Sequence, residues 1–116
     1  MKRGDIWWAD LGAHRPREQT GRRPVIVWQS DTLSRVLQSV LVVSLTTNVD
    51  RAQLAGTAMI AGGPDGPPAD SVALAFQMRA IPRSVLESRI RALTEAELAE
   101  LELATDEALG RVEPDE

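Results

Sequence analysis

The chain reads as mainly β (α+β): a small, strongly bent barrel of five or six short strands with one helix at its C-terminus. Three observations predict this class. Apolar runs of strand length, rich in valine and isoleucine, recur between turn signals. A single amphipathic stretch near the end carries helix signals at both termini. At 116 residues the chain has room for one modest core. An open, flat sheet would leave edges in need of cover, which favours bending.

The first strand is read at residues 4–11, Gly-Asp-Ile-Trp-Trp-Ala-Asp-Leu. A polar loop from Gly12 to Arg22 follows, containing His14, Arg15, Arg17, Glu18 and Gln19. Val25 to Trp28 and Ser39 to Leu45 are β-branched runs, and between them Asp31 is placed to N-cap a short helix. Gly56 to Ile60 is a weaker strand, and the Gly/Pro-dense segment 62–68 an exposed loop. β structure resumes at Ser71 to Phe76 and ends with Arg89 to Leu93. Helix is expected over 95–109: Thr94 and Glu97 have capping-box spacing, Leu93 and Leu98 sit where a hydrophobic staple closes, and Gly110 then Pro114 stop it. Leu98, Leu101, Thr105 and Ala108 fall on its inner face, and its glutamates read as a solvated surface. One domain is expected over 1–110, with a short acidic tail at 111–116.

Composition narrows the function. No run approaches the roughly 20 apolar residues of a membrane span, and no signal-type stretch follows Met1, so a cytoplasmic, membrane-free protein is the simplest reading. With no cysteine and one histidine, thiolate chemistry, disulfides and multi-histidine metal sites are excluded, and no cofactor fingerprint occurs. His14 is the usual solvated loop side chain. The net charge of −4 divides unevenly: residues 1–86 carry +3 and residues 87–116 carry −7. A mildly basic body thus precedes an acidic end.

Two polar clusters stand at the ends of apolar runs. Residues 21–28, Gly-Arg-Arg-Pro-Val-Ile-Val-Trp, place two guanidinium groups at the end of a loop, where Pro24 stiffens the junction. Leu45-Thr46-Thr47-Asn48 closes the next run with short polar side chains. Arginine suits phosphate oxygens, being planar, forked and always charged. Metal-free RNA cleavage fits such a set, because the 2′-hydroxyl is its own nucleophile and the protein need only align it and stabilise charge. The plainer reading stays open beside it: solvated arginines by a turn, turn chemistry at Thr46–Asn48, and tryptophans Trp7, Trp8 and Trp28 used for packing.

In order along the chain, Arg3-Gly4-Asp5-Ile6-Trp7, Glu18-Gln19-Thr20-Gly21-Arg22-Arg23-Pro24-Val25, Val43-Ser44-Leu45-Thr46, Asp70-Ser71-Val72 and Gln77-Met78-Arg79-Ala80-Ile81 resemble the blocks of the MazF/PemK/Kid toxin family. The resemblance covers residues 3–110. It implies an SH3-like barrel of the PemK/CcdB type, a homodimer, and a toxin that cleaves single-stranded RNA, mRNA included, to 2′,3′-cyclic phosphate and 5′-hydroxyl ends without a metal. It also implies a cognate MazE-like antitoxin whose acidic tail covers the RNA groove. Carried over residue by residue, Arg23 would stabilise the phosphorane and assist departure of the 5′ oxygen, and Thr46 would hold the phosphate or the 2′-hydroxyl. Arg17, Glu18, Gln19, Gly21, Arg22, Thr47, Asn48, Gln77 and Arg79 would contact RNA, with Glu18, Gln19 and Gln77 reading base edges.

Two positions depart from the family pattern. Arg17 stands where some members have histidine, and Phe76 where an acidic residue often precedes the glutamine. A mechanism built on that His–carboxylate pair is not open to this chain. Phe76 has two uses, stacking on a base or packing at a dimer interface. Two other functions compete with the ribonuclease: a same-fold toxin that binds DNA gyrase, and a non-catalytic RNA-binding relative.

Overall fold

The computed structural model describes residues 1–12 and 21–113. Its elements are β1 (Asp5–Asp10), β2 (Arg22–Val27), α1 (Asp31–Ser34), β3 (Ser39–Thr46), β4 (Thr57–Ile60), β5 (Ser71–Pro82), β6 (Leu86–Ala92) and α2 (Glu95–Ala108). Short 3₁₀ turns lie at Val49–Gln53 and Arg83–Val85. The six strands form one antiparallel sheet in the order β4-β5-β3-β2-β1-β6. Its two ends approach each other, since the Arg91 guanidinium, from β6, donates to the Ala61 carbonyl just past β4 at 2.8 Å. The sheet is thus curled into a half-barrel, with α2 packed on β4 and β5.

Side-chain alternation along β2 shows how both faces are filled. Ile26 joins Ile6, Val43, Ile60 and Ala73 in a cluster that also takes Leu101 and Ala104 of α2. Val25 and Val27 point the other way, to Val40, Val42 and Ile81. Both faces of β2 are buried over its second half, so Val25-Ile26-Val27 is continuously apolar rather than alternating. Trp28 pins the end of β2 to the helix: its indole N–H donates to Thr105 Oγ1 at 2.9 Å, and that hydroxyl donates to the Leu101 carbonyl at 2.8 Å. Arg3 lies over the same ring, 3.9 Å from its centroid.

Several boundaries differ from expectation, each for a physical reason. The two arginines lie inside β2, not at the end of a loop, because Arg22, Arg23 and Pro24 pair with Asp10, Ala9 and Trp8 of β1. Pro24 is tolerated there since the β2–β3 ladder starts only at Val25, so no N–H is missed. The N-cap of α1 is Ser30, whose hydroxyl accepts from the Leu33 N–H, while Asp31 accepts from the Arg3 N–H at 2.8 Å. β5 runs on to Pro82 because its second half pairs with the start of β3. In α2 the capping box forms as read, with Ala104 rather than Ala108 buried beside Leu101.

Three α2 glutamates turn back onto the sheet, Glu100 while staying exposed. Glu107, Glu100 and Glu97 accept the backbone N–H groups of Gly56, Met59 and Ala61 at 3.0, 2.7 and 2.9 Å. These donors run along β4 and its flanks, the edge of the sheet. Among the described residues no helix is long and apolar enough to cross a membrane.

Candidate functional site

The site is built where β2, β3 and β5 lie side by side. In the β2–β3 ladder Val25 faces Ser44 and Ile26 faces Val43; continuing that register by two places sets Arg23 across from Thr46. Both line an open cleft of about 480 Å³. From β2 and the end of β1 the cleft takes Arg23, Pro24, Val25 and Leu11; from β3, Ser44, Leu45 and Thr46; from β5, Leu74, Gln77 and Arg79; and from the 3₁₀ turn, Arg51. No carboxylate is among these lining residues.

Gln77 reaches the cleft through an irregularity. Val42 pairs with Arg79 and Ser44 with Leu74, so residues 75–78 of β5 all stand opposite Val43. This wide bulge throws Phe76 and Gln77 out to the surface while Ala75 stays buried.

Thr46 is oriented by the turn that follows it. Its hydroxyl oxygen accepts the Asn48 N–H at 3.2 Å, and its own O–H has no acceptor among the described residues. The hydroxyl therefore has a hydrogen to donate into the cleft, as an anion would require. Asn48 in turn caps the 3₁₀ turn, its side chain accepting from the Asp50 N–H at 3.2 Å.

The remaining expected residues separate into distinct places. Arg17, Glu18 and Gln19 lie outside the described residues. Gly21 has φ +96°, and an added Cβ would meet nothing within 4 Å, so its requirement is the torsion that turns the chain into β2. Arg22 sits next to Arg23 but on the other face of the strand: it pairs with Glu87 of β6 and stacks over Trp8, 4.7 Å from the ring centroid. Thr47 and Asn48 are exposed at the end of β3, outside the cleft lining. Phe76 is half-exposed with its ring against Gly56, close enough that a Cβ there would come within 3.2 Å, and it too is outside the lining.

Two polar cleft residues were not among the expected site residues. Ser44 lies next to Leu45 and Thr46, and Arg51 lies five residues beyond Thr46 on a turn no strand pattern marks. The signal that could have found Arg51 is Asn48, a cap residue that begins a turn just before it.

Against known proteins, residues 2–109 match the family described as PemK-like, MazF-like toxin of type II toxin–antitoxin system. The chain is 31% identical over 110 residues to the endoribonuclease MazF of Staphylococcus epidermidis, covering 95% of this chain and 92% of that one. The MazF of Staphylococcus saprophyticus is equally similar, at 31% over 110 residues. Among solved structures, an endoribonuclease in complex with its cognate antitoxin from a mycobacterial species superposes with TM-score 0.75 at 24% identity, over 98% of this chain and 99% of that one. MazF from Deinococcus radiodurans gives TM-score 0.71 at 21% identity, over 95% and 96%. The order of strands, the curled sheet and the match over nearly the whole length place this chain in the PemK-like, MazF-like family of toxins.

Proposed function

We propose that the chain is a sequence-specific endoribonuclease toxin that cleaves single-stranded RNA, mRNA included, leaving 2′,3′-cyclic phosphate and 5′-hydroxyl ends. The observation that carries this reading is that Arg23 and Thr46 line one cleft with two further arginines and, among the described residues, no carboxylate. In the reaction the 2′ oxygen attacks phosphorus, the P–O2′ bond forms and the P–O5′ bond breaks. The 2′-hydroxyl gives up its proton and the 5′ oxygen gains one.

Arg23 stabilises the charge that builds on the phosphorane oxygens and eases departure of the 5′ oxygen, staying charged throughout because its pKa exceeds roughly 12. Thr46 donates its hydroxyl hydrogen to the same phosphate. Gln77 and Arg79, brought in by β5, contact the nucleotides, and Gln77 reads a base edge, which unpaired bases present. Glu18 and Gln19 extend that readout from the loop. The protein works in the cytoplasm as a homodimer and is silenced by a cognate antitoxin, consistent with the antitoxin complex of the mycobacterial relative.

The test is direct. Purified protein is incubated with single-stranded RNA in the presence of a chelator, and the products are examined for cyclic-phosphate ends. Arg23→Ala and Thr46→Ala should each lower the cleavage rate by about 10²–10³, the cost of one lost transition-state donor, without lowering the melting temperature. Undiminished cleavage by both variants would overturn the site. RNA binding without cleavage by the unaltered protein would point to the non-catalytic relative instead.

A further inference from the structure

The cleft holds more cationic charge than one scissile phosphate needs. Five arginines outside the cleft are matched to acids: Arg3 with Glu102, Arg22 with Glu87, Arg89 with Asp5, Arg91 with Glu97 and Arg111 with Asp106, while Arg35 and Arg83 have no acidic partner among the described residues. The guanidiniums of Arg51 and Arg79 have no such partner among the described residues, and both line the cleft. Unmatched arginines in a concavity with no carboxylate among its described lining residues are a site for anions.

Arg51 is the better anchored for that task than its exposed turn suggests. Its N–H donates to the Asn48 carbonyl at 3.1 Å, and its carbonyl accepts the Leu54 N–H at 3.0 Å. The turn is tied to β4 by the Thr57 hydroxyl, which contacts the Ala52 and Leu54 carbonyls at 3.3 and 2.8 Å. The side chain therefore leaves from a fixed backbone. The turn returns from Thr46, at the end of β3, to Thr57, which pairs with Leu74 and so lies level with Ser44, and Arg51 lines the same cleft as Ser44 and Thr46.

We propose that Arg51 binds a non-scissile phosphate of the RNA, adjacent along the strand to the phosphate held by Arg23 and Thr46. This rests on the ribonuclease reading above. Arg51 is thus a substrate-binding residue: it fixes the register of the strand across the cleft and takes no part in bond breaking. A guanidinium suits this because it grips phosphate oxygens in a fork and fixes direction as well as charge.

The experiment uses an RNA oligonucleotide that the unaltered protein cuts. A second form carries a 2′-deoxy nucleotide at the cut position for binding measurements. In a further set, single phosphates of that form are replaced by uncharged methylphosphonates. Arg51→Ala should weaken binding about tenfold, in keeping with one lost charged hydrogen bond, and raise KM while leaving kcat within about twofold. The slope of log affinity against log salt should fall by about 0.7, one single-strand phosphate contact, and Arg51→Lys should restore most of it. One non-scissile methylphosphonate should weaken the unaltered protein by the same factor and leave Arg51→Ala unaffected, as expected of a coupled pair. Unchanged affinity and salt slope in Arg51→Ala would overturn the assignment alone. So would a fall in kcat matching that of Arg23→Ala at unchanged affinity. A wild-type protein that cuts no RNA overturns the ribonuclease reading, and with it this one.

Discussion

Glu97 shows how much one side chain does in this molecule. Its carboxylate accepts from the Thr94 N–H, completing the α2 capping box, from the Ala61 N–H past β4, and from both terminal nitrogens of Arg91 on β6. Burial by itself would raise its pKa. The bonds from Arg91, Thr94 and Ala61 outweigh that and hold it at about 2, against an ordinary 4.5. A depressed carboxyl contributes stability above its unfolded pKa and loses it as pH falls through the folded value. Glu97 should therefore contribute on the order of 3 kcal/mol at neutral pH, lost between about pH 4.5 and 2. Glu97→Gln should be less stable at pH 7 and have a flatter stability profile across that window, as measured by urea unfolding at a series of pH values. Equal slopes would show that the carboxylate is not held as described. Adjacent residues can likewise part ways: strand alternation sends Arg23 to the cleft and Arg22 to Glu87 and Trp8.

At the scale of elements, the pairing of α2 with β4 is an edge device. An edge strand presents unpaired N–H groups to any passing chain, and here glutamates occupy three of them in and around β4. Replacing both Glu100 and Glu107 with alanine should cost about 2 kcal/mol of stability and increase self-association. Urea unfolding and light scattering at rising concentration would measure both, and unchanged values in each would deny the edge role. This pairing was not legible in the sequence, since periodicity cannot tell a carboxylate that meets water from one that meets a backbone donor. The strands of β-branched residues were legible, as were the Thr94–Glu97 cap and the Gly110 stop. The second half of β5, Gln77-Met78-Arg79-Ala80, was not, because it lacks β-branched residues before Ile81 and owes its extension to the pairing with β3. Arg22 and Arg23 looked like loop for a related reason: an Arg-Arg-Pro start is poor strand sequence, and only β1 makes it one.

Taken whole, the molecule separates its charges. The acidic C-terminal helix lies along one edge of the sheet, and the cleft between β2, β3 and β5 takes nothing from it. A net charge of −4 is thus no bar to an anionic ligand. Uncleavable 2′-deoxy-substituted RNA at a hundred times its dissociation constant should stabilise the fold by about 2.7 kcal/mol, raising the melting temperature by roughly 10 °C. A scanning melt checks this, and no shift would mean the cleft is not an RNA site. That Arg23 and Thr46 would lie near each other was legible in the sequence because each stands at the end of an apolar run, and both line the cleft. The place of Arg51 in the cleft lining was not, because it depends on how the turn packs against β4 and β5.

The bulge in β5 has a consequence for how such a protein diversifies. Four residues, 75–78, share one partner on β3, so Phe76 and Gln77 contribute little to strand registration or the core. Substitutions there should be tolerated without unfolding the barrel, while those at Gln77 alter the lining of the cleft. Arg23, paired with Ala9, and Thr46, paired with Val72, lie outside the bulge and are insulated from that drift. If the proposed ribonuclease reading holds, a lineage could in this way change its preferred cut sequence while keeping Arg23 and Thr46 in place, and the bulge is where such change is cheapest.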